Sequence, residues 1–89
     1  MGLYTTGIGD LYVIRCKNYY KIGISGLLGS RFGDLQASNP FKIYLVYYKE
    51  YKQVREVERR LHHKLRKKKH RGEWYKLSKK DLEFIKNFK

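Results

Sequence analysis

An α+β fold is predicted for this chain: a small three-stranded antiparallel sheet flanked by helices, in the order β-β-α-β-α-α, within one domain spanning residues 1–89. Three observations carry the prediction. Residues 19–25 (YYKIGIS) alternate with a period of two, with Tyr20, Ile22 and Ile24 on one side and Tyr19, Lys21, Gly23 and Ser25 on the other. The preceding LYVIRC (11–16) is rich in β-formers, and only the turn signal Lys17-Asn18 separates it from that run. Val54, Val57, Leu61 and Leu65 recur at helical spacing. A chain of 89 residues can bury one modest core and not two.

Taken in order, residues 1–9 (MGLYTTGIG) are glycine-rich and read as irregular. Their opening MGLYTT also matches a short, tolerant myristoylation pattern, with Thr6 in its hydroxyl position. After the hairpin come glycine punctuation and a helix marked by Leu28, Arg31, Phe32 and Leu35, which Asn39-Pro40 ends. IYLVYY (43–48) is a third strand, apolar enough to be expected at the sheet centre. A long helix is expected from Gln53 to about Lys68. Gly72 breaks the chain, EWYKL reads as a short extended segment, and Ser78 as the N-cap of a last helix over about 79–88. Asp81 stands where a capping box has Glu or Gln. The core of the domain is expected over about 11–77.

Charge narrows the class of function. Twenty-one Lys and Arg face eight Asp and Glu, a net charge of +13, which favours a polyanionic partner, most commonly nucleic acid. No stretch approaches a membrane span and no amphipathic anchor is visible, so no membrane partner is expected. Cys16 is the one cysteine, which excludes an internal disulfide and a Cys-rich zinc site. The N-terminus lacks a basic segment followed by a long apolar one, and an intracellular, cytoplasmic location is expected.

Lysine and glycine in mid-strand ask for a reason. Either that face is plain solvent, or something approaches the backbone at Gly23 and meets the charge of Lys21. A two-residue turn at Lys17-Asn18 would set Tyr12 opposite Gly23 and Ile14 opposite Lys21, all on one face, making Tyr12 and Lys21 diagonal neighbours. Taken alone, Tyr12 reads as an ordinary half-buried strand tyrosine.

On the long helix, Glu58 falls about 40° from Val54 and His62 about 80°, at the margin of the apolar stripe. A carboxylate there needs a partner. It is either a basic side chain in a structural salt bridge or a metal; a lone Glu with waters and a phosphate oxygen suits Mg²⁺. Two ligands, Glu58 and His62, cannot make a closed zinc site. The run RRLHHKLRKKKHR (59–71) holds eight Lys or Arg and no acid. Read plainly it is a solvated helix end; with the overall charge, Arg59, Lys64, Arg66, Lys67, Lys68, Lys69 and Arg71 are candidates for tracking a nucleic-acid backbone. Trp74 is expected to anchor the core.

Taken together these residues resemble the GIY-YIG nucleases, in their compact T5orf172 or meiotically up-regulated gene 113 branch, from about Leu11 to Leu77. DLYVI (10–14) resembles the first motif, with Tyr12 in the tyrosine position, and KIG (21–23) the second, with lysine for tyrosine and Tyr20 just before it. Arg31 stands in the arginine position, and LQASNP (35–40) resembles the branch's LQTGNP. EVERRLHHKL (56–65) resembles its E-x-x-x-H helix, placing Glu58 and His62, and GEWYKL (72–77) its closing segment. The first motif's glycine is Asp10 here, and Leu35 stands where many members have histidine.

That resemblance implies hydrolysis of DNA phosphodiesters by water with a single divalent metal, Mg²⁺ or Mn²⁺. Tyr12 would take the water's proton, directly or as part of a relay. An unperturbed tyrosine is only about 0.1% ionised at neutral pH, so Lys21 and the metal would assist it. Glu58 would hold the metal, Arg31 would neutralise charge on the phosphorus, and Gly23 would let the DNA backbone approach, with Tyr20 and His62 in support. The remaining acids are scattered, which argues against two metals. DNA, including branched or nicked forms, is the expected partner, RNA stays a candidate, and the protein is expected to act as a monomer or homodimer. Two rivals stay open: a non-catalytic nucleic-acid-binding module on the same scaffold, and a structure-selective RNase.

Overall fold

The computed structural model describes residues 7–88. Segment 1–6, with its myristoylation pattern, lies outside the described residues. Five strands and three helices follow one another as β1 (Gly9–Cys16), β2 (Tyr19–Ser25), α1 (Leu28–Ala37), β3 (Tyr44–Tyr51), α2 (Val54–Lys64), β4 (Lys69–Arg71), β5 (Trp74–Tyr75) and α3 (Lys79–Lys86). One turn of 3₁₀ helix, Arg66–Lys68, joins α2 to β4. The result is an α+β fold on one antiparallel sheet, ordered β3-β1-β2-β5-β4.

Hairpin chemistry sets the register of the whole sheet. Lys17 adopts a left-handed φ of 55°, the positive φ that tight two-residue hairpin turns require. The pairing that results places Tyr12 opposite Gly23 and Ile14 opposite Lys21. Because side chains alternate across the sheet, Leu11, Val13 and Ile22 then share the other face.

Each face buries a different cluster. Leu11, Val13 and Ile22 meet Val54, Val57, Leu61 and Leu65 of the α2 segment, with Tyr75 and Ile85 completing the main core. Full burial of aliphatic side chains such as Val54 and Leu61, both 0% exposed, is worth about 1.5–3 kcal/mol each. Tyr12, Ile14 and Ile43 form a smaller cluster on the opposite face, under Leu28, Phe32 and Leu35 and beside Trp74.

Three expectations need correction. The sheet gains β4 and β5, because the chain past α2 folds back as a short hairpin at Gly72, whose φ is 57°. The third strand lies at the sheet edge and not at its centre: β1 pairs on both sides, with β2 and with β3, and so takes the middle. The apolar look of β3 comes from tyrosines packed on one face only, while Tyr44, Leu45 and Tyr48 are exposed. A bulge opposite Val13 and Ile14 lets Val46 and Tyr47 both reach the main core. The long helix stops at Lys64 and not near Lys68, since Leu65 turns inward as the cap residue and the basic run continues as 3₁₀ helix and strand.

Asp81 does complete the capping box of α3. The Ser78 hydroxyl accepts from the Asp81 N–H, and the Asp81 carboxylate accepts from the Ser78 N–H at 2.8 Å and from Lys68 at 3.1 Å. Burial opposes ionisation of Asp81, yet these bonds hold its carboxyl below the usual range. At the other end of α3, the Tyr51 hydroxyl donates to the Phe88 carbonyl at 2.9 Å and ties the chain end to β3. Burial, with Tyr47 adding to it, pushes the Tyr51 phenol up to about 12.

A phenol whose folded value is raised stabilises fully below its unfolded value, and this is lost as pH rises toward the folded one. Stability is therefore expected to fall between pH 10 and about 12. Tyr51→Phe should flatten that part of the profile, followed by denaturant unfolding at stepped alkaline pH. At neutral pH the same substitution should cost about 0.5–1.5 kcal/mol for the lost hydrogen bond.

Candidate active site at the open edge of the second strand

Only Tyr20 and Lys21 of β2 pair with β5, so the outer edge of β2 is unpaired from Ile22 onward. Side chains from both layers meet at that edge.

From the α1 side comes Tyr12. Its ring lies across Gly23: a Cβ there would sit 2.6 Å from the phenol Cζ and 2.5 Å from its oxygen. Gly23 thus leaves room for this ring, a reason for the glycine that the sequence did not show. The Tyr12 side chain is almost wholly enclosed, 1% exposed, with its hydroxyl carried over β2. Arg31, exposed on α1, lies close enough to the Tyr12 phenol for that group to be the largest influence raising the arginine's pKa.

Lys21 is committed elsewhere. Its ammonium lies 2.7 Å from the Glu73 carboxylate, and 5.9 Å from the centroid of Trp74, its cross-strand neighbour. The hydrogen bond from Lys21, then its charge, hold the Glu73 carboxyl below the usual range; burial opposes this, and His62 and Arg31 add to it. With the Glu73 side chain 68% exposed, the pair contributes little stability, and its consequence is to fix where Lys21 points.

From the α2 side come Glu58 and His62. His62 Nε2 lies 3.2 Å from the Ile22 carbonyl and 3.6 Å from Glu58, while Nδ1 meets the Tyr75 hydroxyl. A carbonyl can only accept, so Nε2 carries a proton; in the neutral ring Nδ1 then accepts from Tyr75. Burial, followed by the charges of Glu58 and Glu73, raises the Tyr75 pKa, which keeps its hydroxyl a donor. His62 is therefore a tie between α2, β2 and β5.

The edge accordingly gathers Tyr12, Lys21, Arg31, Glu58, Gly23 and His62. Tyr20 is not part of it, as it packs on the main core. Glu73 and Tyr75 are part of it and were missed from sequence. The available signal was that Glu73 is the first acid after Glu58, past fourteen residues that carry none.

Among the described residues no three or more His, Cys, Asp or Glu groups are placed to hold a metal together. Glu58, its side chain 30% exposed, is the carboxylate open to one. One carboxylate does not make a zinc site, but it fits a hard cation whose other ligands are water and substrate oxygens.

The basic run lies outside this edge. Arg59 pairs with Glu56 at 2.6 Å, Arg66 donates to the His63 carbonyl at 2.8 Å, and Lys68 is held by Asp81. Lys64, Lys67, Lys69 and Arg71 are exposed on the α2 end, the 3₁₀ turn and β4. The candidate backbone contacts therefore spread over three short elements and not one helix face.

The fit of Tyr12 over Gly23 is testable. Gly23→Ala should cost about 1–3 kcal/mol by overpacking, measured by urea unfolding. In a Tyr12→Ala background the added cost should fall below about 1 kcal/mol, since the ring it strikes is gone.

Comparison with known proteins follows from this geometry. No curated protein and no solved structure matches the chain. The family model of the T5orf172 domain matches residues 9–88, nearly the whole length and every element described above. The chain belongs to the T5orf172 domain family, a domain associated with nuclease-type proteins.

Proposed function

We propose that this protein is a DNA endonuclease that hydrolyses phosphodiester bonds with a tyrosine-assisted water and one divalent metal, Mg²⁺ or Mn²⁺. One observation carries the reading: a phenol laid across Gly23 from one layer, and a carboxylate beside His62 from the other, come to an unpaired strand edge open to an extended substrate. Membership of the T5orf172 family and a net charge of +13 support the same substrate class.

Each residue then has a task. Arg31 stands near the Tyr12 phenol; turned to the scissile phosphate, its forked guanidinium would place positive charge on the phosphorane. Tyr12 acts as the phenolate, its own proton having passed to solvent, and takes the proton of the water that attacks phosphorus. Lys21, steered by Glu73, adds positive charge at the same edge. Glu58 is the residue to hold the divalent ion, and when bound that ion supplies charge for the phosphate and the leaving oxygen. His62 and Tyr75 keep the α2 end of the site in register with β2.

The test is nicking of supercoiled plasmid with Mg²⁺ or Mn²⁺, with DNA binding followed in parallel. Glu58→Gln should abolish nicking while binding stays intact. Binding by both proteins with no nicking by either would move the assignment to a non-catalytic nucleic-acid-binding module. In the same binding assay, replacing Lys67 and Lys69 together by alanine should flatten the dependence of log K on log salt by about 0.9 per lost phosphate contact.

A further inference from the structure

Two stretches that the catalytic edge does not absorb, 38–41 of the LQASNP run and its neighbour, and 70–71 ahead of GEWYKL, converge on a second site. A cleft of about 460 Å³ opens between the β1–β2 turn, the loop after α1 and β4. That volume is within the range of roughly 300–1,000 Å³ typical of small-ligand sites. Aromatic faces make its walls. Tyr19 and His70 stack with centroids 4.3 Å apart, Phe41 is 49% exposed, and Trp74 closes the inner end. Cations rim it: Lys17, its ammonium 4.3 Å from the Phe41 centroid, and Arg71.

The loop that presents Phe41 is held in place. Its N–H donates to Asn39 Oδ1 at 3.0 Å, and its carbonyl accepts from Gln36 at 3.1 Å. Phe41 is therefore a half-exposed ring in a set position, with the Lys17 ammonium over it.

We infer that this cleft takes an unpaired nucleobase of a DNA strand, stacked between Phe41 and the Tyr19–His70 pair, with its flanking phosphates on Lys17 and Arg71. Ring faces with cations at the rim are what single-stranded nucleic acid demands, because every base has a π-face and every linkage a charge. A base inside a duplex offers neither face. Position along β2 links the cleft to the site: Tyr19, Lys21 and Gly23 alternate on one side of the strand, so cleft and Tyr12 ring lie about 13 Å apart, a span of a few nucleotides. The inference deepens the nuclease reading by naming its substrate as DNA with unpaired bases, and it rests only on the nucleic-acid part of that reading.

Trp74 is the chain's single tryptophan and lines the cleft, so its fluorescence is a built-in reporter. The experiment titrates the whole protein, with EDTA present to prevent cleavage, against a twelve-nucleotide oligothymidylate, a blunt duplex of equal length and the matching oligouridylate. Oligothymidylate should quench Trp74 and bind more tightly than oligouridylate. Phe41→Ala, at an exposed position, should weaken oligothymidylate about 5- to 150-fold and duplex by less than about two-fold. Tyr19→Ala should repeat the pattern, with circular dichroism unchanged in both. Equal weakening of single strand and duplex, or no weakening, overturns the cleft; preference for oligouridylate overturns its assignment to DNA. Cleavage by wild type with unchanged binding by Phe41→Ala would sink the cleft and leave the nuclease standing, whereas selective binding without cleavage would do the reverse.

Discussion

The crossing of the Tyr12 ring over Gly23 is the constraint on which the rest of this structure depends. It follows from the hairpin. Two turn residues put Tyr12 and Gly23 in cross-strand register, and only a residue without a side chain leaves room for a ring to lie flat on the neighbouring strand. Once there, the ring carries its hydroxyl away from the core of its own strand and out over β2. A one-residue slip would turn it to the other face, into the main core, and would leave Arg31 with no phenol to meet.

The second consequence comes from a short strand. In a half-buried sheet the two faces are normally kept apart, so residues on α1 and α2 would not share a site. Here β5 pairs through two residues only, and the edge of β2 beyond them belongs to neither layer. The Ile22 carbonyl is satisfied by His62 in place of a neighbouring strand. Glu73, just ahead of β5, lies within the influence of Lys21, His62 and Arg31 together.

Charge is distributed to match. Eight acids serve a chain with 21 Lys and Arg, and several of the acids have structural tasks: Asp81 caps α3, Glu56 holds Arg59, and Glu73 holds Lys21. Part of the positive charge, on Lys64, Lys67, Lys69 and Arg71, is exposed at the end of α2, the 3₁₀ turn and β4 beside the aromatic cleft. A broad basic surface positions a nucleic acid without selecting a sequence. Selection by unpaired bases, through the cleft, would add the missing discrimination.

What the sequence alone determined is what local chemistry controls. Alternation in YYKIGIS, the two-residue turn and the stripe from Val54 to Leu65 made the first hairpin, its register and the buried face of α2 legible, because each depends on neighbours a few positions apart. Tyr12, Arg31, Glu58 and His62 were singled out by the resemblance of their motifs, in order and spacing, to those of a nuclease family. What tertiary structure decided was everything set by distant pairing. That β3 is an edge follows from β1 having two partners, and no feature within 43–48 encodes it. The Tyr12 ring on Gly23 stayed hidden because an alternating pattern shows which face a residue takes, and not which ring lies on it. Glu73 and Tyr75 stayed hidden because their importance comes from β5 docking on β2 more than fifty residues away in the chain, where a two-residue pairing brings a carboxylate to Lys21 and a hydroxyl to His62.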